Sequence, residues 1–140
     1  MATYVKFEPF TEIQLTTPVD WNTDTIKVAL SNTAPNAATN DFFNDITEIS
    51  AGNGYVAGGN TLTITVSRTG GVTKVSATDT VFTATGAVGP FRYVILYKST
   101  GTASTSPLVA YWDYGSSITL ANGETFTVDF SDASGIFTLT

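Results

Sequence analysis

The residues of this chain best suited to acid–base chemistry are carboxylates. Asp113 stands in Tyr111-Trp112-Asp113-Tyr114, and Arg92 is expected opposite it across a hairpin. An acid on an aromatic floor resembles a sugar-binding or glycosidase subsite, but glycoside hydrolysis normally takes two carboxyl groups at a defined separation. The sequence places no second acid there, so Asp113 reads first as an ion-pair or turn partner. Asp129, Ser131 and Asp132 are closely spaced oxygen ligands. Calcium takes roughly six to eight oxygens and an Asp-rich loop, which this stretch lacks, so a solvated turn is expected. Asp41, Asp45 and Glu48, spaced by four and three, would share one helical face beside Phe42 and Phe43. Histidine and cysteine are both absent, which removes the commonest general base and zinc ligand, all thiolate chemistry and any disulfide. Serine and threonine are plentiful, yet no base of the usual kind is available to activate one. The expectation is therefore a protein that is not an enzyme, with no cofactor and no metal.

The elements that position these residues read as β-structure. A chain of 140 residues suits one domain with a real core. Charged residues make up 13%, against about 25% in an average domain, so hydroxyls must do much of the hydration. Either this is simply a Thr-rich β-protein, or much of the surface is covered by partners, since interface cores are depleted in charge. The net charge is −6, and the six cations (Lys6, Lys27, Arg68, Lys74, Arg92, Lys98) are scattered. Phosphate neutralisation needs clustered cations, so nucleic acid is not an expected partner. No apolar run is long enough to span a membrane, and the first residues lack a signal peptide's pattern, so the protein is expected to stay in the cytosol of whatever cell makes it unless an assembly carries it out.

Along the chain, Tyr4, Phe7 and Phe10 recur every three residues, as in a helical turn, but Pro9 argues against a helix interior. Residues 1–22 are expected to form an N-terminal arm or edge segment, and residues 23–140 a β-sandwich domain. Ile26, Val28 and Leu30 alternate as a half-buried strand does. Asn40–Asp45 suggests one helical turn capped by Asn40, and Asp45–Ile49 a further short strand. Ala51-Gly52-Asn53-Gly54-Tyr55 is turn chemistry. Leu62, Ile64 and Val66 are expected to pair, through a Thr69-Gly70 loop, with Ala77, Val75 and Thr73. Another strand is expected within 79–84.

Arg92 to Lys98 is apolar on both faces, with Phe91, Tyr93, Ile95 and Tyr97 on one and Val94 and Leu96 on the other. Loss of alternation marks an inner strand, covered by the chain itself or by a partner. Leu108 to Tyr114 is expected to return beside it. Ala121-Asn122-Gly123 suggests a bulged hairpin with Gly123 at positive φ, pairing Ile118 with Phe126. A Ser131–Gly135 turn then leads to a last strand at 136–139. Eight or nine short strands predict an all-β, two-layer antiparallel β-sandwich, jelly-roll or immunoglobulin-like. Trp112 is expected in the core, whereas Trp21 fits either the core or a subunit contact.

Four ordered blocks carry a family resemblance: Thr25–Pro35; Asp45–Ile49 with Gly52-Asn53-Gly54-Tyr55; Gly89-Pro90-Phe91-Arg92-Tyr93; and Trp112–Leu120 with Gly123–Phe130. Together they resemble a family of small virion structural proteins of tailed bacteriophages, over residues 23 to 140. The first twenty residues depart from the pattern. The resemblance implies a capsid decoration (cement) protein on the capsid exterior of the virion. Its partners would be the major capsid protein and further copies of itself, most often as a homotrimer. On that reading Tyr4, Phe7 and Phe10, as a segment that orders on binding, and Trp21 are the candidate subunit or capsid interface. The alternative is a tail or head-fibre module that binds a receptor or glycan, which an exposed Trp112–Tyr114 patch would favour.

Overall fold

The computed structural model describes residues 2–130 and 135–140. Among the described residues, ten antiparallel strands form three sheets around a shared core. β1 (Thr3–Lys6), β8 (Leu108–Leu120), β7 (Val88–Ser99), β2 (Thr25–Ser31) and β3 (Asn60–Thr61) line up in that order as the main sheet. β10 (Phe137–Leu139), β5 (Val72–Ala77) and β4 (Ile64–Thr69) form a second, and β6 (Thr80–Thr83) pairs with β9 (Thr125–Val128) as a third.

The alternation expected of β2 is present: Ile26, Val28 and Leu30 are buried against Leu96, Val94, Val75, Phe82 and Val128, so the two small sheets cover one face of the large one. The opposite face carries Ala29, Tyr93, Ile95 and Tyr97, and is covered by Phe7, Phe43 and Ile46. The inner-strand reading of β7 therefore holds, and the chain itself supplies both covers. Phe91 was expected on the face of Tyr93 but belongs to the other cluster with Val94 and Leu96. A register shift between Phe91 and Tyr93 breaks the two-residue period there.

Three further expectations are corrected. In the β4–β5 hairpin, Val66 pairs with Val75 and Ile64 with Ala77, two residues from the expected register. The loop is Gly70-Gly71, with Gly70 at φ 61°, and the apolar set keeps its face because the slip is even. Residues 118–126 do not form a hairpin. Gly123 does have φ 87° and Glu124 N–H closes a turn on Ala121, but Ile118 pairs with Phe91 and Phe126 with Phe82. The turn carries the chain from one sheet to another. Finally, Asn40 caps no helix: its side chain accepts from Asn36 N–H, and the short 3-10 turn Phe43–Asp45 is closed by the Asp45 carboxylate on Asp41 N–H at 3.0 Å. No strand forms within Asp45–Ile49, where only Glu48 bridges to Ser31.

The N-terminal segment is not a detached arm. β1 is an edge strand on β8, pairing Tyr4 with Trp112, and helix α1 (Pro9–Thr16) follows at once. Pro9 begins this helix rather than interrupting it. At the first turn its missing N–H has no partner to lose and its φ is already helical. The last strand, Phe137–Leu139, is pinned to β5 as expected. Of the preceding turn, 131–134 lie outside the described residues.

Candidate functional site

Helix α1 leans on the three-stranded sheet without closing the gap between them. What remains is a groove of about 390 Å³. Phe10 and Trp21 meet edge-on at 6.4 Å, and Trp21 meets Phe137 at 5.2 Å, so three aromatic rings line it. Val66, Val75 and Phe137 are register neighbours across β4, β5 and β10, which puts them on one sheet face. Two leucines stand at the rim, Leu15 of α1 at 86% exposure and Leu139 of β10 at 70%.

Two polar groups share the same walls. The Gln14 amide donates through Nε2 to the Val19 carbonyl at 3.3 Å, while its Oε1 is buried without a hydrogen-bond partner among the described residues. Lys6, at the groove, makes no ion pair with any described residue. The groove thus combines a mostly apolar lining, two exposed leucines at its rim and an exposed cation.

The structure splits the four candidate interface residues. Phe10 and Trp21 are both core residues and groove lining. Phe7 is wholly buried on the opposite side of the main sheet and touches no outside surface, which corrects its assignment as an interface residue. Tyr4 is partly exposed and rests edge-on against Trp112 at 5.5 Å. Gln14, Leu15 and Leu139 were missed, because only the placement of α1 against β10 brings them together.

Of the candidate acids, Asp41 and Asp45 come together, while Asp113 and Glu48 are each engaged elsewhere. Asp113 forms a two-point ion pair with Arg92, at 2.7 Å to Nε and 3.0 Å to Nη2, as its position across the hairpin suggested. That pair and Gly115 N–H hold its carboxyl below the usual range, which stabilises the carboxylate and opposes a proton-donating role. Asp41 is raised, first by desolvation and then by its hydrogen bond and charge contact with Asp45. Glu48 faces away from both, accepting from Gly58 N–H and from the Tyr55 hydroxyl at 2.7 Å. Ser131 and Asp132 lie outside the described residues, and no cluster of three metal-ligating side chains occurs among those described.

Tyr55 ties three segments together. Its buried hydroxyl donates to Glu48 and accepts from Leu30 N–H of β2 at 3.0 Å. Desolvation, followed by the Glu48 carboxylate, raises its pKa well above a free tyrosine's. Tyr97, whose hydroxyl donates to Gly58 O at 2.7 Å, is pushed up to about 12, again mainly by burial. Both shifts favour the neutral phenol in the folded state. Their contribution is complete below the unfolded value of about 10 and is lost as pH rises through the folded values. Tyr55→Phe orphans the Leu30 N–H and is expected to cost about 1–3 kcal/mol at neutral pH. It should also flatten the alkaline decline in stability. Urea unfolding at a series of pH values checks both, and an unchanged alkaline limb would contradict the assignment.

The fold and the groove define a class: an all-β antiparallel sandwich with an open apolar groove between helix α1 and a small sheet. Family models, curated proteins and solved structures were each compared with the chain, and none matches it.

Proposed function

We propose that this chain is a structural protein of a tailed-bacteriophage virion, a capsid decoration or cement protein that binds the outer surface of the shell and stabilises it. Its partners are the major capsid protein and further copies of itself, as a trimer at a symmetry-related position. The groove carries the reading. Two leucines left exposed beside the half-buried ring of Phe137, at the mouth of an apolar groove, are a contact surface awaiting a partner. The four sequence blocks that resemble phage virion proteins supply the kind of partner. Symmetric repetition over a shell lets a small contact act through avidity, so no single interface has to be large.

The test is co-sedimentation of the purified protein with expanded capsids that lack it. Saturable binding, together with greater resistance of the shell to heating, is the expected result. Failure to bind capsids, with recovery on tails or fibres instead, would overturn the proposal. One observation favours that second reading: Tyr114 is 46% exposed and Trp112, two residues away, is only half-buried, which leaves aromatic surface on which a sugar can stack.

A further inference from the structure

The groove suits an occupant that brings an apolar side chain for its lining and an acid for Lys6. Seven large apolar side chains are prominently exposed among the described residues: Tyr4, Leu15, Val56, Val72, Val81, Tyr114 and Leu139. Tyr4, Val56 and Leu139 have no described acid within three residues, and Val72 lies between Arg68 and Lys74. Val81 and Tyr114 follow Asp79 and Asp113, but Asp79 accepts from Phe130 N–H and Asp113 is held by Arg92. Leu15 differs. Glu12 lies three residues earlier on α1, hence on the same helical face, and its carboxylate has no partner among the described residues.

We infer that the groove is occupied by α1 of a second copy of this chain, with Leu15 seated against Phe10, Trp21 and Phe137 and Glu12 paired with Lys6. This deepens the proposed function and rests on its trimer reading. The knob and the groove lie side by side on one surface. That adjacency permits a closed assembly, and in the trimer of the proposed function each copy gives Leu15 to the next. An eight-residue helix offers a small contact, so association is expected to be weak and concentration-dependent in free solution.

Sedimentation equilibrium of the whole protein over a wide concentration range tests this. The expected result is a monomer–trimer equilibrium that Leu15→Asp abolishes without altering the circular dichroism spectrum, because Leu15 is almost fully exposed in the single chain. Lys6→Glu sets like charges against each other and should weaken association roughly tenfold. The double variant Lys6→Glu/Glu12→Lys should restore it, which a merely structural role for either residue would not do. A monomer at every concentration, an oligomer indifferent to Leu15→Asp, or no rescue by the charge swap overturns the inference. A dimer that Leu15→Asp dissolves keeps the occupant and overturns the threefold arrangement. The capsid reading is tested apart from this, because co-sedimentation of the Leu15→Asp monomer with capsids reports on shell binding alone.

Discussion

Replacing Gly59 by alanine is expected to remove more than about 4 kcal/mol of stability, enough to leave the protein unfolded or nearly so. The loop entering β3 lies directly on β2, and Gly59 is at the point of closest approach, with φ 78°. A methyl group there would overlap the Val28 carbonyl oxygen and stand 2.6 Å from the Val28 carbonyl carbon and 2.7 Å from Ala29 Cα. All three are backbone atoms of a central strand, so nothing nearby can rotate out of the way. Relief requires lifting the loop off β2, which breaks the pairing of Asn60 with Val28 and the Leu62 N–H bond to Ile26 O. Gly70→Ala is the matched control. It also has positive φ, 61°, but nothing lies within 4 Å of the added carbon, so only the conformational cost of about 1 kcal/mol applies. Urea denaturation of both variants decides the matter. Equal losses would show that the approach of the loop to β2 is wrong.

Phe7→Ala is expected to cost about 3–5 kcal/mol, the range for emptying an aromatic site in a packed core. Phe7 is fully buried among Ala29, Tyr93, Ile95, Tyr97 and Leu108, with its ring 5.3 Å from that of Tyr111. Its backbone N–H extends the β1–β8 pairing by donating to Val109 O at 3.0 Å. Tyr4→Ala, three residues earlier in β1, removes a partly exposed ring that rests edge-on against Trp112 and should cost less than about 1.5 kcal/mol. Comparing the unfolding midpoints of the two variants separates an integral N-terminal segment from a loose arm. If Phe7→Ala is as mild as Tyr4→Ala, the segment is an accessory after all. Deletion of residues 2–10, which an arm would tolerate, should by the same argument remove part of the core.

Much of the fold was legible where one local signal decided it. The alternation of Ile26, Val28 and Leu30 marked β2, and the doubly apolar run of β7 marked an inner strand. The juxtaposition of Arg92 with Asp113 followed from the hairpin that joins β7 to β8. Expectations failed where two local readings competed and a distant partner chose between them. Ala121-Asn122-Gly123 does make a turn with a left-handed glycine, yet nothing in those residues says which strand lies beyond it. Pro9 reads equally as a helix breaker or a helix starter until the chain around it is placed. Phe7, Phe10 and Trp21 were recognised as residues that need covering, and their own chain turned out to supply most of the cover. Of the groove, the sequence pointed to Phe10 and Trp21 but not to Gln14, Leu15 or Leu139. These become neighbours only when the C-terminal strand docks beside the N-terminal helix, a contact between opposite ends of the sequence that no periodicity encodes.

The division of the second layer into two sheets has a consequence for how the molecule comes apart. Inside a sheet, separation breaks a ladder of backbone hydrogen bonds. Between the five-stranded sheet and the β4–β5–β10 sheet there is no such ladder, and side-chain packing does most of the joining. Partial opening along that seam is therefore the lower-energy excursion, with the amides of β4, β5 and β10 exchanging ahead of those in β2, β7 and β8. A partner seated in the groove grips α1 and β10 from both sides of this seam. It would act as a clamp on the weaker cooperative unit, so that assembly itself slows the first step of unfolding.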